Sequence, residues 1–252
     1  MDKKPLRKMR KFGLIGKNIS YSFSRGYFNN KFESESIKNV SYQNFDLDSL
    51  KKFKSIFNDH PEIAGLNVTI PYKENIIEYL DSLSKSAKNI GAVNTIKFTK
   101  KGKLKGYNTD YYGFKRSLEP LLQNQHKKAL ILGTGGASKA VAFTLEKLHI
   151  SYTYVSRNKS SDNLIYNELD ESIIKENLVI INCTPLGTHP NINDCPNIPY
   201  DAITKNHILF DLIYNPEETL FLKYGKQKGC IISNGLKMLE LQAEKSWEIW
   251  NR

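Results

Sequence analysis

At 252 residues, with 40% hydrophobic and 25% charged side chains, the chain can bury one large core or two ordinary ones without staples. Three cysteines, Cys183, Cys195 and Cys230, have neither C-x-x-C spacing nor an even count, which argues against a disulfide framework or a thiolate metal site and for a reducing, cytoplasmic setting. The net charge of +11 comes from lysines scattered among asparagines and isoleucines, so it reads as a solvated surface that attracts anionic substrates rather than as a nucleic-acid interface.

In chain order, the first eight residues are basic but lack the apolar core of a signal peptide. Lys3 to Lys11 reads as a frayed tail, and no run approaches the roughly 18 apolar residues of a membrane-spanning helix. Strands are predicted at Phe12 to Gly16 and Ser41 to Phe45, and helices over Ser24 to Phe32 and Leu47 to Phe57. The joint Ser20-Tyr21-Ser22-Phe23-Ser24 offers two hydroxyls, Ser22 and Ser24, that serve either as an ordinary cap or as a grip on a carboxylate. Gly65 to Ile70 reads as a buried strand. Pro71 suits the first position of a helix whose apolar spacing runs from Glu74 to Leu80, which puts Lys73 at its positive end. A cation opposed by the macrodipole breaks a local rule without structural gain, the pattern expected of a functional residue, here a proton donor and acceptor.

Gly91-Ala92-Val93-Asn94-Thr95 enters a strand over Val93 to Phe98, on which Leu104 to Tyr107 pairs back after the turn at Lys101-Gly102-Lys103. Asn94 is either a turn residue or an amide ligand. Asn108-Thr109-Asp110 ends this block just before a helix, so Asp110 is either a first-turn acid or an ionic partner that orients Lys73 across a cleft. Ser22, Ser24, Thr69, Asn94 and Asp110 together make a lining suited to a small polyol acid.

A second block opens with a helix from Tyr111 to Leu122. Strands at Ala129 to Leu132, Tyr152 to Ser156, Leu178 to Asn182, Ile208 to Ile213 and Cys230 to Ile232 then form a parallel, doubly wound sheet. A last helix, Leu236 to Trp250, carries Leu236, Leu239, Leu241, Ala243, Trp247 and Trp250 and is expected to fold back across the cleft. The fold class is therefore α/β, with a substrate domain over residues 1–112, a Rossmann-like nucleotide domain over 113–235 and a returning helix over 236–252.

Leu132-Gly133-Thr134-Gly135-Gly136-Ala137-Ser138 lies between a strand and a helix, where glycines let amide groups approach a pyrophosphate. At the end of the next strand, where NAD sites carry an acid, the chain reads Val155-Ser156-Arg157-Asn158-Lys159. Arg157 can pair with a 2′-phosphate, helped by Ser156 and Lys159, and Asp162 lies too far into the loop to serve as the acid, so NADP is preferred over NAD.

These residues resemble the shikimate dehydrogenase family along nearly the whole chain. The matching motifs are Asn67 to Lys73, Gly91 to Thr95, Asn108 to Asp110, the loop from Gly133, Asn182-Cys183-Thr184-Pro185-Leu186-Gly187, Asp211-Leu212-Ile213-Tyr214-Asn215-Pro216 and Asn234 to Ala243. The resemblance implies reversible NADPH-dependent reduction of 3-dehydroshikimate to shikimate, with Lys73 as general acid/base and Asp110 as its partner. It assigns Ser22 and Ser24 to the carboxylate, and Thr69, Asn94, Asp110, Tyr214 and Gln242 to the rest of a small-molecule substrate. Gly133, Thr134, Gly135, Gly136, Ala137, Ser156, Arg157, Asn158, Thr184, Ile213 and Gly235 would hold NADP in a monomer or homodimer that needs no metal. Periodicity alone would make Gln242 a polar-face residue and Tyr214 a core aromatic.

Three positions depart from the family pattern. Asn18 and Tyr21 stand where proline and histidine are usual, Lys159-Ser160-Ser161 where a second arginine is common, and Thr188 where methionine is common. A relative that oxidises quinate with NAD is one rival reading, opposed by Arg157. An inactive regulatory or nucleic-acid-binding module on the same fold is another, opposed by Lys73 with Asp110.

Overall fold

The structure is a computed structural model that describes residues 9–20 and 22–252. Lys3 to Lys8 of the expected tail and the departure at Tyr21 lie outside the described residues. Arg10 and Lys11, assigned to that tail, instead belong to the first strand. Two compact units form, one running from this strand to Thr109 and taking in Ala243–Arg252, the other comprising Asp110–Gln242. The division thus falls at Thr109, and the last helix is split between Gln242 and Ala243.

The first unit contains β1 (Arg10–Gly16), α1 (Phe23–Ser34), β2 (Val40–Asp46), α2 (Ser55–Asp59), β3 (Ile63–Val68), β4 (Ser82–Leu83), α3 (Lys85–Ile90), β5 (Thr95–Phe98) and β6 (Leu104–Tyr107). Its sheet has the order β2-β1-β3-β5-β6-β4. The pairs β1/β2, β1/β3 and β4/β6 are parallel, and β3/β5 and the β5–β6 hairpin are antiparallel.

Two predicted helices of this unit need correction. Leu47 to Phe57 divides into a 3-10 helix at Leu50–Lys52 and the short α2. Its core residues Leu47, Leu50, Phe53 and Ile56 recur every third position, the repeat of a 3-10 helix rather than the 3.6 of an α-helix. Glu74 to Leu80 is likewise only a five-residue 3-10 helix, Asn75–Tyr79.

Against one face of this sheet, Phe28 and Phe32 of α1 pack with Phe12, Tyr42, Trp247 and Trp250. Trp250 stacks on Phe12 at 4.8 Å between centroids and donates its indole N–H to Ile96 O at 2.9 Å. The ring lies so close to β3 that a Cβ on Gly65 would stand 2.3 Å from it. Glycine at that position admits the aromatic side chain to the sheet surface.

The second unit contains α4 (Asp110–Leu118), β7 (Lys128–Leu132), α5 (Gly136–Lys147), β8 (Ser151–Ser156), β9 (Asn163–Ile165), α6 (Glu171–Glu176), β10 (Val179–Asn182), β11 (Ile208–Asp211), α7 (Leu220–Gln227), β12 (Ile231–Ser233) and the first residues of α8 (Leu236–Asn251). Its sheet, β12-β11-β10-β7-β8-β9, is parallel throughout. Read from β9, the sequence rank of the strands is 3-2-1-4-5-6, the dinucleotide-binding order. Both faces are buried: Ala129 and Ile131 join one core while Leu130 and Leu132 join the other, as continuous apolar strands require.

Candidate active site

In the first unit, Thr69 to Lys73 form the turn that leaves β3. Thr69 is held by its N–H to Ile15 O at 2.8 Å, and Tyr72 N–H returns to Thr69 O at 2.9 Å. Tyr72 is buried and donates its hydroxyl to Leu47 O at 2.5 Å. The carbonyl of Lys73 accepts Val93 N–H at 2.7 Å, one residue before Asn94. The expected α-helix dipole is absent, because the 3-10 helix starts two residues beyond Lys73 and Pro71 lies in the turn. Backbone ties, not a helix start, position this lysine.

Behind the turn is a buried polar network that the sequence reading did not foresee. Asn67 donates to Asn94 O, Thr95 Oγ1 and Ser246 Oγ at 3.1–3.2 Å and accepts the Tyr42 hydroxyl at 2.8 Å. Ser246 in turn meets Thr95 Oγ1 at 2.8 Å and Thr109 Oγ1 at 3.1 Å. The Asn94 side chain accepts Thr109 N–H at 2.6 Å and donates to the Thr109 hydroxyl at 2.9 Å. Ser24 hydrogen-bonds to Tyr42, so this residue of α1 joins the same network, and burial pushes the Tyr42 phenol well above its usual value. A periodic hydrophobic pattern carries no trace of such groups, since their partners come from distant segments.

Ser22 is the N-cap of α1, its oxygen accepting Arg25 N–H at 3.3 Å. Capping uses the acceptor and leaves the O–H as a donor for an anion. Nearby, Asn18 has φ 57° and donates its N–H to Asp46 at 2.8 Å. Proline cannot adopt that left-handed conformation, which asparagine tolerates, so the departure at Asn18 has a backbone reason.

In the second unit, Asp110 is the buried first residue of α4. The turn from β7 to α5 has the features a pyrophosphate needs. Gly133 has φ 97°, and a Cβ there would stand 3.0 Å from Thr184 Cγ2. Gly135 is the N-cap of α5, no side chain caps the helix, and a Cβ on Gly135 would meet nothing within 4 Å. Thr134, Gly136 and Ala137 complete this turn, so a twelve-residue helix starts here with no side-chain cap on its first backbone N–H groups. The residues present fit a dinucleotide.

At the end of β8, Arg157 and Asn158 are exposed. Lys159, expected to assist Arg157, is paired with Glu168 at 2.6 Å. The Ser156 hydroxyl is turned onto its own loop, donating to Asn158 O at 2.6 Å and accepting from Asn163 at 3.0 Å. Arg157 is thus the exposed cation of this loop that no carboxylate among the described residues holds.

The neighbouring strand ends form a second buried network. Asn182 donates to Asp211 at 3.1 Å and accepts the Thr184 hydroxyl at 2.7 Å, while Asp211 also accepts Ile213 N–H at 3.0 Å and the Thr219 hydroxyl at 2.7 Å. Burial raises the Asp211 carboxyl to about 6 and pushes the Cys183 thiol far up, which keeps Cys183 protonated. Ile213 O accepts Gly235 N–H at 2.9 Å, and a Cβ at Gly235 would fall 2.1 Å from Leu212 O, so only glycine fits. Tyr214 follows, half-buried, rather than lying in the core. Gln242 is buried on α8 and donates to Leu239 O at 2.9 Å, and Leu236, expected in the apolar stripe, is exposed. Thr188 donates to Asn215 O at 3.4 Å.

Comparison with known proteins places these features in context. Residues 14–96 match the family described as the shikimate dehydrogenase substrate binding domain. The chain is 41% identical to the shikimate dehydrogenase (NADP(+)) of Methanococcus maripaludis, an alignment covering 96% of this chain and 92% of that protein. It is similar to the crystal structure of a chorismate mutase/shikimate 5-dehydrogenase fusion protein from Clostridium acetobutylicum, with TM-score 0.86, 37% identity and coverage of 97% and 91%. A Thermus thermophilus shikimate 5-dehydrogenase in complex with NADP(H) and shikimate aligns with TM-score 0.84, 28% identity and coverage of 96% and 93%.

Proposed function

The chain belongs to the shikimate dehydrogenase family, and from that premise we propose how its residues carry out the reversible NADPH-dependent reduction of 3-dehydroshikimate to shikimate. This oxidoreductase activity serves the route to chorismate and the aromatic amino acids. The observation that carries the residue assignment is the anchoring of Lys73 by its own carbonyl to Val93, beside Asn94, in a turn shared with Thr69.

NADPH, when bound, supplies the hydride that reaches the ketone carbon of the substrate. As it does so the carbonyl oxygen gains negative charge, and the protonated Nζ of Lys73 transfers a proton to that oxygen. Asp110 pairs with the lysine and orients it. Ser22 donates to the substrate carboxylate, joined by Ser24 once its hydroxyl turns away from Tyr42, and Thr69, Asn94, Asp110, Tyr214 and Gln242 bind the substrate hydroxyls. Gly133, Thr134, Gly135, Gly136 and Ala137 cradle the pyrophosphate, while Ser156, Arg157 and Asn158 surround the 2′-phosphate, with Arg157 providing the charge. Thr184, Ile213 and Gly235 line the nicotinamide end.

A cytoplasmic setting belongs to the same reading, supported by Cys183, Cys195 and Cys230 standing as free thiols. Among the described residues no helix is long and apolar enough to cross a membrane.

The test is nicotinamide absorbance with shikimate and quinate, each with NADP and NAD. The highest kcat/KM is expected for shikimate with NADP. A preference for quinate with NAD, or no turnover of any pair, would overturn the proposal.

A further inference from the structure

A groove of about 540 Å³ in the first unit is lined by Arg10, Lys97, Lys100, Lys105 and Arg252, with no acidic side chain in the lining. Its size is that of a small-molecule pocket, about 300–1,000 Å³. The cations are brought together by the sheet: Arg10 begins β1, while Lys97 of β5 and Lys105 of β6 stand directly opposite each other in the hairpin register. Like charges facing across strands destabilise a hairpin, and no acidic side chain offsets this pair.

Lysines elsewhere on the surface do find acidic side chains, as Lys128 with Glu176, Lys175 with Glu171 and Lys228 with Asp201. Lys97, Lys100, Lys105 and Arg10 have no side-chain carboxylate within 4 Å among the described residues. Lys97 donates to the main-chain oxygen of Arg252 at 2.6 Å, Lys105 lies over the Tyr107 ring at 5.6 Å, and Arg10 donates to Asn251 at 2.8 Å and to Trp250 O at 3.3 Å. Lys105 and Arg10 are thus held in place by neutral partners, and the cluster is left strongly positive. Burial, with Arg252, Lys100 and Arg10 adding repulsion, lowers the Lys97 ammonium below its usual value, as expected for cations gathered around one space.

We propose that this groove binds an oligophosphate, a chain of two or more linked phosphates either free or borne by a nucleotide. Such a ligand supplies several negative charges within the reach of one small pocket, and the lysines and Arg10 supply N–H donors with no acidic side chain competing for them.

The experiment is isothermal titration of the full chain with sodium tripolyphosphate and, in parallel, with ATP, each in the presence and absence of saturating NADP. One-to-one binding that persists with NADP and weakens at least about tenfold in the double variant Lys100→Glu/Lys105→Glu is expected, since each lost charge-assisted contact is worth about a factor of ten. Circular dichroism and the rate of shikimate oxidation should be unchanged in that variant. Equal affinity for the two ligands would support a site for the bare chain, and tighter binding of ATP a site for a nucleotide. Absence of binding, its loss with NADP, equal binding by the double variant, or tighter binding of a single-stranded oligonucleotide would overturn the proposal.

Discussion

The side-chain oxygen of Asn94 accepts the backbone N–H of Thr109 at 2.6 Å, so the residue entering β5 fixes the backbone just before Asp110. The amide end of the same side chain donates to the Thr109 hydroxyl at 2.9 Å. Asn94 therefore shapes the backbone that leads into a proposed catalytic residue, in addition to its proposed contact with substrate. Asn94→Ala strands a buried N–H, which costs about 1–3 kcal/mol. A lower urea midpoint together with a raised KM for shikimate is expected. Loss of affinity with an unmoved midpoint would show that Asn94 is a ligand without this supporting role.

Lys73→Ala separates chemistry from folding. The contact that ties Lys73 to Val93 is made by the backbone carbonyl and survives the substitution. Turnover should fall about 10²- to 10⁴-fold, the usual contribution of a general acid, while the unfolding midpoint stays near that of the parent chain. A variant with near-normal kcat would remove Lys73 from the proton transfer.

How much of this was readable in the sequence depends on which force shapes each segment. The strands β7, β10 and β11 are continuous apolar runs buried on both faces, and their burial pattern is visible in composition alone. By contrast β9 spans three residues and α6 spans six, lengths over which no period can be established. The segment from Leu47 to Ile56 misleads because a repeat of three looks helical until 3-10 geometry is considered. Asn67 and Ser246 escape for another reason. They are 179 residues apart and are buried because they hydrogen-bond each other, a relation that only the folded chain reveals.

Arg157 and Lys159 are close neighbours in the sequence, where Lys159 is expected to assist Arg157, and the structure separates them. Lys159 is engaged by Glu168 through both carboxylate oxygens, whereas Arg157 is exposed at the strand end. Arg157→Ala should raise the KM for NADP about 10- to 100-fold, the worth of a charge-assisted phosphate contact, with little change for NAD. Lys159→Ala should alter neither by more than about twofold, because an exposed ion pair contributes little. Similar effects of the two substitutions on NADP would contradict this division of roles.

Asp211 gives the second unit a pH dependence of a particular sign. Its carboxyl is raised from 3.8 to about 6, chiefly by burial, against the lowering effect of Thr219, Ile213 and Asn182. A raised carboxyl binds its proton more tightly in the folded state than in the unfolded one. The contribution is therefore stabilising below about pH 4, and it is lost as the pH rises through about 6, amounting to about 3 kcal/mol in all. Asp211→Asn keeps the shape and can still accept from Asn182 and Ile213 N–H, with its amide donating to a reoriented Thr219 hydroxyl. Denaturant unfolding of the two proteins between pH 4 and 7 should thus show a difference that grows in favour of the asparagine variant as the pH rises, then levels off above about 6.5. A difference independent of pH would mean that Asp211 carries the same charge in both states across this window. The buried network would then owe its stability to hydrogen bonding without coupled proton uptake.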